Sequence, residues 1–286
     1  MHTIGTFVEN DTVTLPRWLG DGSMKRVRLS PGFSLLIHQY TLIEELRLQR
    51  TAADNSANRV NVLFDASDRV SGQPVPTDAM PAEQGLTHTV RITSPDIDSQ
   101  LRFPPGTPIV FVVLSMNRSA LGSLLRINGT NGVVEQILRG SQAFLFYETL
   151  SADAYQLLRT LVAIDTDKDL ASLRIWIQVQ ALLCWLFERL LTRETRQQRP
   201  VHRVDADGLS LVRAAVVADL SVPPHLAQLA QLAGMSTSKL TDLFKQVFGD
   251  TIYEHYQKAR MSQAAHLLRQ GATRCRKPAT SWASVT

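Results

Sequence analysis

The sequence predicts an α+β fold: a β-rich, barrel-like N-terminal domain, a helical middle segment and an all-α C-terminal unit. Three observations predict it. Residues 1–150 contain many short runs rich in Val, Ile, Phe, Leu and Thr, punctuated by Gly, Pro, Asn and Asp. The apolar spacing then becomes helical over residues 151–194. Residues 225–270 read as two short helices joined by a tight turn and followed by a longer helix.

In chain order, strands are expected at Phe7–Leu15, Val27–Leu29, Phe33–Tyr40, Arg59–Phe64, Thr87–Ile92, Gln100–Phe103 and Ile109–Leu114. Asn10-Asp11, Pro31-Gly32 and Pro104-Pro105-Gly106 supply turns between them. Residues 68–86 read as a loop. Many short strands with regular turns suggest a barrel or a sandwich. A helix opening at Ser151 runs to about Ile164, and a second runs from about Leu170 to Arg193. In the second, Trp176, Val179, Leu183, Leu186 and Leu190 alternate in threes and fours, like a heptad seam. Leu173, Ile177, Cys184, Phe187 and Leu191 form a neighbouring apolar row. Such a wide apolar face can serve its own core on one side and a second copy on the other, or be core throughout.

Residues 194–208 are polar, contain Pro200 and read as a linker. Leu209–Leu220 is the next helix. In the one that follows, Leu226, Leu229, Ala230 and Ala233 share a face, and Gly234 falls where a left-handed C′ residue is wanted. Ser236 is placed to N-cap a further helix that buries Leu240, Leu243, Phe244 and Val247. Its other face carries Thr237, Ser238, Lys239, Thr241, Asp242, Lys245 and Gln246. Thr251 and Glu254 have capping-box spacing at the start of the last helix. Small and apolar residues inside, with hydrogen-bonding side chains outside, are what a helix-turn-helix needs to enter a major groove.

The run LAQLAGMSTSKLTDLFKQVFG, followed by YEHYQKARMSQAAHLL, resembles the first helix-turn-helix and linking helix of AraC/XylS-type bacterial transcription regulators. The resemblance implies that Ser236–Phe248 is the recognition helix of the first of two such motifs. It implies a barrel or cupin-like sensor at 1–165, a helical dimerisation module at 166–194, a linker at 195–208 and a partial DNA-binding domain at 209–272. The expected partners are double-stranded DNA, a small-molecule effector and a second copy of the chain. The sensor part also resembles the branch that includes ferric-siderophore sensors, although no pocket residue is assigned. Among the outward residues, Ser238, Thr241 and Asp242 suit base reading, and Lys239 and Lys245 suit phosphates. Asp242 departs from the basic residue often found nearby in the family. The Trp176–Leu190 seam is the expected dimer interface.

The family continues with a second helix-turn-helix, whereas residues 273–286 here have no helical period. With one choice of synonymous codons, Cys275–Thr286 read two nucleotides later gives Pro-Glu-Ala-Gly-Tyr-Gln-Leu-Gly-Phe-Ser-Asn, close to the start of that second motif. Trp282 followed by Ala283 forces the second Gly whatever the codons. A frameshifted or truncated regulator with impaired DNA binding is therefore expected, the alternative being a natural short variant with an unrelated tail. The competing expectation is an interaction protein that dimerises with an intact relative and inhibits it.

Composition agrees with a globular chain. Of 286 residues, 44% are hydrophobic and 20% charged, which excludes the disordered and collagen-like classes. Residues 205–286 hold nine Lys/Arg against six Asp/Glu, so most of the net +4 lies there, as nucleic-acid binding favours. The two cysteines make no disulfide framework. The apolar stretch 170–191 is interrupted by Arg174, Gln178, Gln180, Glu188 and Arg189, and the N-terminus has no signal-peptide pattern. A cytoplasmic location is expected. The seven histidines form no metal-binding spacing, and there is no phosphate-binding glycine loop or nucleophile elbow, so no enzyme and no cofactor are expected. His38 and His88 fall on strands and could line a pocket.

Overall fold

The structure is a computed structural model that describes residues 11–50, 58–67, 88–95, 99–103, 105–106, 108–127, 132–140, 143–193 and 201–269. The strands are β1 (Thr12–Thr14), β2 (Gly20–Ser30), β3 (Phe33–Leu42), β4 (Leu46–Arg50), β5 (Arg59–Asp65), β6 (Thr89–Thr93), β7 (Ser99–Phe103), β8 (Pro108–Asn117) and β9 (Leu145–Thr149). The helices are α1 (Arg118–Leu125), α2 (Gly132–Arg139), α3 (Ala152–Val162), α4 (Ala171–Leu191), α5 (Arg203–Ala218), α6 (Leu226–Leu232), α7 (Thr237–Phe248) and α8 (Ile252–Arg269). The expected strand at 7–10, the loop at 68–86 and the tail at 273–286 lie outside the described residues.

Seven strands form one antiparallel sheet in the order β1-β2-β3-β8-β5-β6-β9, and β4 pairs with β7 as a separate ribbon. Among the described residues, the sheet runs from β1 at one edge to β9 at the other. Strand alternation divides its side chains. Phe33, Leu35, Ile37, Val60, Val62, Val112 and Leu114 face one way into a core roofed by α1, α2, α3 and α4. Tyr40, Leu42, Leu63, Ile109 and Phe111 face the other way, against Phe103 of β7 and Leu46 of β4.

β9 was not legible as a strand, because both of its faces are apolar and no period of two shows. Phe144 and Phe146 join the core under the helices, while Leu145 and Tyr147 join a second core with Val201, Leu209, Val212, Phe244 and Phe248. The short helices α1 and α2 were also read as part of the strand-rich region. Val133, Val134 and Ile137 of α2 are buried at helical spacing. Arg118, itself buried, donates from Nη1 to the carbonyls of Gln136 and Gly140, tying α1 to the end of α2.

The expected linker ends earlier than predicted. α5 begins at Arg203, and Val201 is wholly buried in the second core. Gly208 then lies inside a helix, where a Cβ would come within 2.9 Å of the Ala233 carbonyl oxygen. A glycine in the helix interior therefore marks a close approach of α5 to the end of α6 rather than a linker.

Two buried histidines couple these cores to pH. Burial holds His38 down to about 4. Burial first, and then the Arg213 charge, do the same for His255, with Asp250 opposing. Each imidazole is uncharged in the fold but takes a proton near 6.5 when unfolded, so its stabilisation is full above that value and is lost as pH falls towards about 4. The expected loss is about 2 kcal/mol per histidine by about pH 5. Urea unfolding at both pH values checks this, and His38→Phe should flatten part of the slope. An unchanged stability across that interval contradicts it.

Candidate nucleic-acid interface

The α6–turn–α7 unit is built by local backbone chemistry. Gly234 has φ +62°, its N–H donates to the Gln231 carbonyl at 3.1 Å, and the Met235 N–H donates to the Ala230 carbonyl at 3.0 Å. This pair of bonds is a complete Schellman closure, and it satisfies carbonyls that the end of α6 leaves free. Ser236 then caps α7, its hydroxyl accepting from the Lys239 N–H at 3.3 Å. Gly249, with φ +80°, ends α7 by donating to the Lys245 carbonyl. At the start of α8, the Thr251 N–H donates to Glu254 Oε2 at 2.8 Å, and the Glu254 N–H donates to Thr251 Oγ1 at 3.2 Å. The capping box read from the sequence is therefore formed, and its hydrogen bonds hold the Glu254 carboxyl below the usual range.

α7 presents two opposite faces. Leu240, Leu243, Phe244, Val247 and Phe248 are buried. Thr237, Ser238, Thr241, Asp242 and Lys245 are exposed, while Lys239 and Gln246 are half-buried. Five of the seven sequence-predicted residues are thus exposed on α7, and the seven are not equivalent. The Thr241 hydroxyl lies 3.0 Å from the carbonyls of both Thr237 and Ser238, so its proton is engaged within the helix. Lys239 Nζ lies 2.6 Å from Asp205 Oδ1 of α5, and the Asp205 side chain is buried. That ammonium braces α7 against α5 instead of standing free for a phosphate. Lys245 keeps an exposed position one turn before the end of α7.

The α4 seam needs a correction. Val179, Leu183, Leu186 and Leu190 are buried in the core beneath the sheet, and Trp176 packs edge-on against Phe33 at 5.1 Å. The core shared by the sheet, α2 and α3 takes up that face, so Val179, Leu183, Leu186 and Leu190 are not available to a second copy, and Trp176 is half-buried. The neighbouring row stays outside: Leu173 and Ile177 are each 54% exposed, and Cys184 and Leu191 are also at the surface. Phe187 of that row is buried. Either row has the right spacing, and only the position of the sheet selects between them.

In the β-rich part, His38 stacks on Phe111 with ring centroids 4.0 Å apart, and Phe111 stacks on Phe103 at 5.2 Å. His38 Nδ1 and the Tyr40 hydroxyl are buried beside them without a hydrogen-bond partner among the described residues. Burial, then the Asp65 charge, push the Tyr40 hydroxyl above its ordinary value. His88 instead lies against Tyr155, 4.3 Å between centroids. Among the described residues, no cluster of His, Cys, Asp or Glu could hold a metal, and no helix is long and apolar enough to cross a membrane.

Removing one partner of the Lys239–Asp205 pair leaves the other charge poorly solvated. Lys239→Ala should cost about 1–3 kcal/mol in urea unfolding. Adding Asp205→Ala should cost less than the two single changes summed. Strict additivity in that double-mutant cycle would show that the pair is not coupled.

No family model matches the chain, and no curated protein matches it. Solved structures of ToxT from Vibrio cholerae resemble it at low similarity. An apo variant has 11% identity and a TM-score of 0.32, covering 87% of this chain and 88% of that one. A wild-type form bound to an unsaturated fatty acid has 10% identity and a TM-score of 0.31, covering 87% and 85%.

Proposed function

We propose that the chain is an effector-responsive transcription regulator of the AraC/XylS type, with α6 and α7 as its DNA-reading helix-turn-helix. One observation carries the reading. α7 exposes a continuous row of short polar side chains and one lysine, while its opposite face is locked into a core and both of its ends are capped. An exposed helix of this kind fits a major groove about 12 Å wide, and short polar side chains at i, i+3 and i+4 reach adjacent base edges. Ser238, Thr241 and Asp242 hold those positions. Thr241 offers its methyl to a thymine, and Asp242 can accept from a cytosine amino group. Lys245 serves the phosphates. For the effector we favour the ribbon side of the sheet, where His38 and Tyr40 supply unpartnered polar atoms among stacked aromatic rings. Buried polar atoms of this kind are stabilised by a ligand that completes their hydrogen bonds.

Selection of duplexes from a random-sequence library by the full chain tests the DNA reading. Thr241→Ala and Asp242→Ala should shift the preferred base at single positions, by about 1–3 kcal/mol per contact. Lys245→Ala should weaken all sequences alike and lower the salt slope by about 0.9. If no sequence is enriched, or if both base-facing substitutions leave the preference unchanged, the reading fails.

We further propose that two copies associate through the exposed row of α4, namely Leu173, Ile177, Cys184 and Leu191. Burying each large apolar side chain contributes about 1.5–3 kcal/mol before the cost of association. Leu173→Glu combined with Ile177→Glu should give a folded monomer in sedimentation, because neither side chain belongs to the buried core. A wild-type chain that already sediments as a monomer at high micromolar concentration excludes the dimer.

A further inference from the structure

A charged joint lies buried where β9, the end of α4 and the end of α7 meet. The side chain of Glu148 is 8% exposed and that of Arg193 is 11% exposed. Arg193 Nε donates to Glu148 Oε1 at 2.7 Å, and Arg189 Nε donates to Glu148 Oε2 at 3.1 Å. The rest of the Arg193 fork reaches past the carboxylate. Its Nη2 donates to the Tyr147 carbonyl, and its Nη1 lies 3.2 Å from the Gln246 carbonyl oxygen and 3.4 Å from that of Val247. The ring of Phe146 lies beneath the guanidinium, 5.8 Å away.

The chemistry suits the place. The last carbonyls of a helix lack partners within the helix and form the negative end of its dipole. A guanidinium is a planar, permanently charged fork that can serve a carboxylate and several carbonyls at once, whereas an ammonium is a point donor. Gly249 makes room for it, since a Cβ there would sit 3.1 Å from Arg193 Nη2. On the far side of the strand, Tyr147 stacks on Phe248 at 5.0 Å, and the Arg213 guanidinium lies 4.8 Å from the Tyr147 ring. β9 therefore meets α7 through Leu145 and the stacked Tyr147 ring in the shared core and, by way of Glu148, through the Arg193 fork.

We propose that Arg193, anchored by Glu148, is a positioning residue that locks α7 at one orientation to the sheet, so that a movement of β9 is what changes how α7 is presented. The joint thereby regulates the DNA-reading surface argued above, and it rests on that reading only for its purpose, not for its mechanics. The Arg193 and Glu148 side chains are buried, so neither is offered as a DNA contact.

The test is a distance measurement in the full chain. Spin labels go on Glu135→Cys of α2 and Gln228→Cys of α6, both exposed positions, in a background carrying Cys184→Ser and Cys275→Ser and diluted with unlabelled chain. The parent should give one narrow distance distribution. Arg193→Ala should broaden it about twofold or more, and Glu148→Gln should broaden it as well. Arg193→Lys keeps the charge beside Glu148 but not the fork, and should fall between. These two milder changes carry the test if Arg193→Ala fails to fold. Distributions as narrow as the parent's in both Arg193→Lys and Glu148→Gln, with only a lowered Tm, would reduce the joint to ordinary stabilisation and overturn the proposal. Binding to a random-sequence duplex is measured alongside. If the distributions broaden but no variant and no parent binds the duplex, the lock stands and the DNA reading falls.

Discussion

β9 contributes side chains to two hydrophobic cores, and the arrangement of the chain depends on that sharing. Successive residues of a strand point to opposite faces. Phe144 and Phe146 therefore pack with the sheet and α4, while Leu145 and Tyr147 pack with α5 and α7. Protein interiors are close-packed, so a strand held on both faces cannot shift without repacking both sides. Among the described residues, β9 is an edge strand, paired to β6 alone. It is also the strand on which the helical unit packs, through Leu145 and Tyr147.

Two kinds of constraint set the direction of α7. Its angle to α6 is local, since the turn between them is closed by the bonds from Gly234 and Met235 and by the Ser236 cap. Those contacts lie within a few residues of one another, so their formation costs little loop-closure entropy. Its angle to the sheet is non-local. Glu148, Gln246 and Val247 are brought to Arg193 from positions 45 to 54 residues away. The helical unit can therefore keep its internal geometry while its attachment to the sheet changes. A reading head coupled to a sensor has the same mechanical requirement.

What was legible in the sequence follows the same division. Gly234, Ser236, Thr251 and Glu254 announced their roles because caps and turns are short-range chemistry. Most strands were legible because one face met polar surroundings or a turn residue broke the run. β9 was not, since two cores erase the alternation. The two rows of α4 were visible, but which one is buried depends on a sheet distant in sequence. Lys239 has the spacing of a DNA contact, yet its partner Asp205 sits 34 positions away on another helix. Arg193 looked like the last charge before a polar linker, and nothing in its neighbourhood points to Glu148.

A buried ion pair is a poor choice for stability alone, because desolvating both charges offsets most of their attraction, and a well-packed apolar pair often does as well. What distinguishes it is steepness. Apolar contacts tolerate small slips, whereas a desolvated guanidinium that loses even one acceptor keeps most of the desolvation cost. At the β9 joint, Glu148 cannot be left alone in its buried site, and the carbonyls at the end of α7 cannot be left facing a void. The joint therefore favours two states, fully made or fully opened to water, over a continuum between them. A two-state joint placed between a sheet and a helix-turn-helix converts a small displacement of one strand into a discrete change in the orientation of α7.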